Sequence, residues 1–242
     1  MNPNRAFLTA EWRYLAMLNY EVDPALVQPF VPNGAELDFH RGKTYVSMVG
    51  FHFVHTRVLG ISIPFHADFE EVNLRLYVRH NEGGVWRRGV TFVRELVPRW
   101  AIATTAKLAY NEAYLAVPMS HEFEFDPATG DPRRVEYSWR LGRRSNRIEV
   151  HCEGGPLPLA AGSHEQFIAE HYWGYTAQRD GGTVEYRVEH PPWRMWQVHD
   201  PVLETDIERL YGRQFANVLS GPPSSAFLAE GSAITVYQPR RL

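Results

Sequence analysis

The chain has 242 residues, 44% hydrophobic and 22% charged, the proportions of a folded globular protein. A chain of that length buries roughly 70–75% of its unfolded surface and needs no disulfide or metal staple. Its formal net charge is −3, with no basic block, so the electrostatic footprint of nucleic-acid binding is missing. The lone cysteine, Cys152, excludes an intramolecular disulfide and points to a reducing compartment. No run approaches the length of a membrane span, and the N-terminal stretch lacks a long apolar core or a small-residue cleavage site. The expectation is a cytoplasmic protein with neither a membrane nor a nucleic-acid partner.

In chain order, Glu11 to Val22 reads as a strand. Asp23-Pro24 is an N-cap with proline at the first helical position, and Pro29 and Pro32 keep the helix that follows short. Thr44 to Leu59 is the longest β-like run. Tyr45, Val49, Phe51 and Phe53 share one face and Val46, Met48 and Val54 the other, so both faces are predicted to be covered. Gly50 inside it signals a bulge or bend.

Glu70 to His80 alternates. Val72, Leu74, Leu76 and Val78 line one face; Glu71, Asn73, Arg75, Tyr77 and Arg79 line the other. A turn at Asn81 to Gly84 leads into Val85 to Leu96. Strict alternation there puts Val90, Phe92, Arg94 and Leu96 together, opposite Thr91, Val93 and Glu95. Trp100, Ala103, Lys107 and Tyr110 then recur at helical spacing, with Thr104 and Thr105 unfavourable to a helix.

Further strands follow from Tyr114 to Cys152. Ser163 with Gln166 is a capping-box pattern that opens a short helix. Asp180-Gly181-Gly182 reads as a hairpin turn. Asp200-Pro201 repeats the cap-plus-proline signal ahead of an amphipathic stripe from Val202 to Leu219, and Ser232 to Tyr237 is a last short strand. No regular alternation of strand and long helix appears, which argues against a doubly wound parallel sheet.

Several separated segments resemble the YqjF-like (DUF2071) family of uncharacterised bacterial proteins along nearly the whole chain. They are Leu8 to Arg13, Leu18-Asn19-Tyr20 with Val22-Asp23-Pro24, Tyr45-Val46-Ser47 with Val49-Gly50-Phe51, Glu71 to Arg75, His171 to Tyr175, and His190 to Trp193. The resemblance implies an acetoacetate decarboxylase-like fold: one mainly β domain over 1–242, largely antiparallel, with a cone or barrel around a cavity and a few peripheral helices. Arg94-Glu95-Leu96 and Lys107-Leu108-Ala109-Tyr110 resemble elements of acetoacetate decarboxylase itself. In that enzyme two adjacent lysines precede the leucine, and the first forms a Schiff base with the substrate. Here the pair is Ala106-Lys107, so the nucleophile position matches alanine, and Arg57 to Pro64 offers no acidic residue where the enzyme has a catalytic glutamate. Acetoacetate decarboxylation is therefore not carried over.

Lys107 is one of two lysines, with Lys43, among 25 basic residues. Desolvated among aromatic residues it would be an amine nucleophile or an acid/base; the alternative is a solvated ammonium or an ion pair with Glu95 or Glu112. If the polar face of Glu70 to His80 lines a cavity, Arg75 holds a ligand carboxylate, with Asn73, Tyr77 and Glu71 orienting it; otherwise that face is solvated or internally paired. Arg94 is a further candidate for ligand binding and Glu95 for catalysis; they point opposite ways, so at most one of them faces the cavity, and the alternative for either is pairing within the structure. The eleven histidines show no metal-ligand spacing. No nucleophile elbow, dinucleotide fingerprint or phosphate loop is present, and no cofactor is predicted. Three functions stay open: a small-molecule-binding protein for a carboxylate- or carbonyl-bearing ligand, an enzyme acting through Lys107 on a β-keto acid or aldehyde, and a structural, homo-oligomer-forming protein.

Overall fold

The computed structural model describes residues 5–62, 67–98 and 114–242. The described first half of the chain holds four long strands and two short ones: β1 (Ala6–Val22), the short β2 (Glu36–Leu37), β3 (Thr44–Val58), the short β4 (Ile61–Ser62), β5 (Phe69–Glu82) and β6 (Val85–Val97). Then come β7 (Tyr114–Ala116), β8 (Met119–Phe125), β9 (Pro132–Leu141) and β10 (Arg144–Pro158). The rest comprises β11 (Trp173–Ala177), β12 (Thr183–Glu189), β13 (Arg194–Glu204), β14 (Ser225–Tyr237) and β15 (Arg240–Arg241). Among the described residues helices are few and short: α1 (Pro24–Val27), α2 (His164–Ala169), α3 (Ile207–Tyr211) and α4 (Ala216–Leu219), plus two 3-10 turns. No helix among the described residues is long and apolar enough to cross a membrane.

The pairing path closes on itself. β12, β11, β6, β5, β3, β1 and β14 are hydrogen-bonded in that order, and β14 returns to β12 through Val188 with Val236 and Glu189 with Thr235. Most pairs are antiparallel, but β6 runs parallel to β11 and to β7, so the sheet is mixed. From β14 the sheet continues through β13, β10, β9 and β8 as a second layer against the outside of the ring. There Tyr137 of β9 donates its hydroxyl to the carbonyl of Tyr14, at 2.8 Å.

The alternation on β3 and β5 feeds two apolar bodies. Val46, Met48, Val72, Leu74, Leu76 and Val78 face the outer layer together with Tyr137, Trp139 and Phe215. Tyr45, Val49, Phe51, Phe53 and Tyr77 face the ring interior. Burying Val, Leu or Phe side chains at roughly 1.5–3 kcal/mol each on both faces is what makes β3 and β5 central strands. Gly50 lies opposite the outer layer. A Cβ there would sit 2.8 Å from Tyr137 and 2.9 Å from Ile148, so its absence allows close approach of β9 and β10. The bulge anticipated at this point is on the neighbouring strand instead, where Tyr14 adopts φ 53° and the β1–β3 register slips between Arg13 and Ala16.

Two expectations are corrected. Asp200-Pro201 starts no helix; it lies inside β13, with Asp200 at φ 46°. The cap is Asp206, whose side chain accepts the Arg209 N–H, and the amphipathic stripe is broken at Gly212 (φ 98°) into α3, a 3-10 turn and α4. The stripe is buried as expected, since Leu210, Phe215 and Leu219 pack on the outer core. The caps at Asp23 and Ser163 form as predicted, each worth about 1 kcal/mol.

Candidate functional site

The ring encloses a cavity of about 130 Å³, some ten times the space one water needs. Among the described residues its walls are aromatic and aliphatic, with Trp12, Phe51, Phe53, Phe92 and Trp193 prominent. A few polar side chains converge on it: Glu71, Asn73 and Arg75 from β5, Glu95 from β6, and His171 and His190 from the segments flanking β11 and β12. The polar face of β5 is therefore the inner face. Tyr77 continues it, buried at 1% exposure, whereas Arg79 lies at the rim, bonded to Glu36 at 2.8 Å.

Glu95 and Arg94 exchange the places that strict alternation gives them. The β5–β6 register slips between Leu74 with Arg94 and Arg75 with Phe92, so Val93 is an extra residue. Beyond that bulge the faces swap. Glu95 joins Val90 and Phe92 at the cavity, and Arg94 turns to the outer side, where its Nε donates to the Leu210 carbonyl at 3.2 Å. Arg94, expected among the ligand-binding residues, is not at the cavity. Lys107 and Ala106 lie outside the described residues.

Arg75 makes no ion pair among the described residues. Its Nε donates to the Tyr77 hydroxyl at 3.4 Å, and its Nη2 approaches the Ile168 carbonyl at 3.4 Å and the Met17 sulfur at 3.9 Å. A buried chain of hydrogen bonds holds Tyr77. Ser47 donates to Asn19 Oδ1 at 2.6 Å, so the 2.6 Å contact between Ser47 and Tyr77 is donated by the tyrosine. The Tyr77 oxygen is thereby left to accept from Arg75. Asn73, 2% exposed, donates to Glu71 at 2.9 Å, and its Oδ1 has no partner among the described residues.

Asp38 carries no functional signal in its local sequence. It follows β2, is 4% exposed, accepts Arg88 Nε at 2.6 Å and faces His171 Nε2 at 3.3 Å. Burial raises the Asp38 pKa, but the bonds from His171 and Arg88 more than offset this, and the carboxyl sits below its ordinary value. Burial pushes His171 down to about 4, with Arg88 and Arg75 adding to the effect against the bond to Asp38. His171 is thus neutral at pH 7. Its Nε2–H donates to Asp38, and its Nδ1, an acceptor, has no partner among the described residues. Burial also lowers His190, with Arg75 contributing. Its Nδ1–H donates to the Pro191 carbonyl at 2.9 Å, and its ring stacks on Trp193 at 4.1 Å. No pattern could have paired Asp38 with His171, because 133 residues separate them. Among the described residues no cluster of three or more His, Cys, Asp or Glu could hold a metal ion.

The profile of the family DUF2071, described as an uncharacterized conserved protein, matches residues 9–233. The chain belongs to this family. No curated protein matches it. Its fold is that of acetoacetate decarboxylase-like proteins. Acetoacetate decarboxylase from Legionella pneumophila superposes with a TM-score of 0.65 at 13% identity, over 100% of this chain and 90% of that one. An acetoacetate decarboxylase-like enzyme from Sphingomonas wittichii RW1 gives 0.65 at 13%, over 98% and 94%. The enduracididine biosynthesis enzyme MppR complexed with pyruvate gives 0.65 at 13%, over 100% and 91%. At this identity the likeness shows the fold alone.

Proposed function

We propose that this protein binds a small carboxylate- or carbonyl-bearing molecule in the ring cavity. Arg75 anchors the ligand, Asn73 and Glu71 orient it, and Tyr77 holds the Arg75 side chain in place. The observation that carries the reading is a guanidinium at the wall of an apolar cavity that, among the described residues, meets only neutral groups at 3.4 Å or more. Other arginines near the ring are paired: Arg87 with Glu185 at 2.7 Å and Arg88 with Asp38 at 2.6 Å. A planar donor fork without a carboxylate is suited to bidentate capture of one. That a protein of the same fold is known with pyruvate, a keto acid, supports the ligand class. The test is binding of small carboxylates by calorimetry to wild type and Arg75→Met. The variant should bind them about tenfold more weakly or worse; equal affinity would remove the anchor from the reading.

A second reading, an enzyme using Lys107 as an amine or acid/base, draws on the fold neighbours being enzymes. Borohydride trapping with keto acids, read by intact mass, should then label the protein and lose the label in Lys107→Ala. No adduct with any keto acid would end the amine half of that reading.

A further inference from the structure

Several polar groups at the cavity have no hydrogen-bond partner among the described residues. Two donors stand out. One is the Arg75 guanidinium; the other is the Trp12 indole N–H, which is buried with no partner among the described residues. Three acceptor groups stand beside them. The Nδ2 of Asn73 is committed to Glu71, which fixes the amide orientation and leaves Oδ1 unmatched. His171 gives its proton to Asp38 and leaves Nδ1 unmatched. His190 gives its proton to the Pro191 carbonyl, so its Nε2 carries a lone pair. Burial, with a smaller contribution from Arg75, holds both imidazoles below their ordinary pKa, and all three side chains line the same cavity. A buried acceptor without a donor is costly, and at a cavity wall a ligand donor or a water can relieve it.

A plain carboxylate or a keto acid brings only acceptors. It satisfies Arg75 and Trp12 and leaves Asn73 and both histidines as they were. A hydroxyl brings the missing donor. We propose that the cavity selects hydroxy acids over the matching keto and unsubstituted acids. The ligand carboxylate takes the donors of Arg75 and Trp12, and its hydroxyl donates to the acceptor set of Asn73 Oδ1, His171 Nδ1 and His190 Nε2. This rests on the carboxylate reading above and narrows it.

The experiment uses three matched series on the full chain by titration calorimetry at neutral pH: lactate, pyruvate and propionate; 3-hydroxybutyrate, acetoacetate and butyrate; mandelate, phenylglyoxylate and phenylacetate. In the series that fits the cavity, the hydroxy acid should bind about tenfold or more tightly than both partners, because a site built to bond a hydroxyl discriminates strongly against its absence. His190→Phe keeps a ring to stack on Trp193 and removes the acceptor. Asn73→Leu removes Oδ1 at similar volume. Each should reduce the ratio of hydroxy-acid to plain-acid affinity, with far-UV circular dichroism and thermal midpoint confirming the fold. Keto or plain acids binding as tightly as the hydroxy acid would overturn this proposal and leave the carboxylate reading standing. A hydroxyl preference unchanged in both variants would overturn the assignment of the acceptors. No binding in any series, or binding indifferent to Arg75→Met, would overturn the carboxylate reading itself.

Discussion

Asp38 and His171 meet across 3.3 Å at the cavity wall, one from the segment after β2 and the other from the segment before β11. The contact fixes which imidazole nitrogen carries the proton and ties two distant parts of the ring together. It also couples folding to pH. The unfolded histidine takes up its proton near 6.5, the folded one only near 4. Between these values the unfolded state holds the extra proton, so stability falls as pH drops from about 6.5 towards 4. The depressed Asp38 carboxyl acts in the same direction at lower pH, because stability is lost as pH falls through its folded value. Wild type should lose on the order of 2–3 kcal/mol from His171 over that window. Urea midpoints at pH 7 and pH 4.5 should converge in His171→Gln relative to wild type. An equally steep dependence in the variant would place the coupling elsewhere.

Arg75 and Arg94 offer a paired test of the bulge at Val93. Arg75→Met should abolish the thermal shift produced by small carboxylates. Arg94→Met removes a side chain bonded to the Leu210 carbonyl on the outer face; it should cost about 1 kcal/mol of stability and leave the ligand response in place. Loss of the response in Arg94→Met, at unchanged fold, would contradict the observed register.

Gly50→Ala should be disproportionately damaging for so small a change. The added methyl would lie 2.8 Å from Tyr137 and 2.9 Å from Ile148, two fully buried side chains that hold the outer layer to the ring. Overpacking of this kind costs roughly 1–3 kcal/mol, to be read as a lower chemical-denaturation midpoint. A midpoint equal to wild type would mean the two layers separate more easily than their packing implies.

Tyr77→Phe removes a hydroxyl that donates to Ser47 and accepts from Arg75. The side chain is fully buried, so the orphaned Ser47 oxygen and the freed guanidinium should together cost about 1–3 kcal/mol. Ligand affinity should fall as well, since Arg75 loses the contact that orients its Nε. A stability loss with no change in affinity would restrict Tyr77 to a structural part.

Much of this molecule is written locally. The two faces of β5 follow from strict alternation between Glu71 and Val78, since a strand turns each successive side chain to the opposite side. The caps at Asp23 and Ser163, the both-sided burial of β3 and the hairpin at Asp180 to Gly182 are decided by neighbours a few residues away. The resemblance carried by short separated segments supplied the fold.

What sequence could not decide depends on register and on distant partners. A single extra residue at Val93 exchanges the faces of Arg94 and Glu95, and only pairing with β5 reveals it. Asp200-Pro201 has the chemistry of a helix start but is held in β13 by its ladder to β10, and the cap passes to Asp206. Which face of β5 is inside was undetermined until β14 met β12 and closed the ring. Alternation is a property of one strand; inside and outside belong to the closed sheet. By itself the sequence determined that Glu71, Asn73 and Arg75 share a face. Tertiary structure alone decided that this face looks onto a cavity, with Glu95 and His171, and Asp38 behind His171, brought there from strands and loops with no local reason to meet.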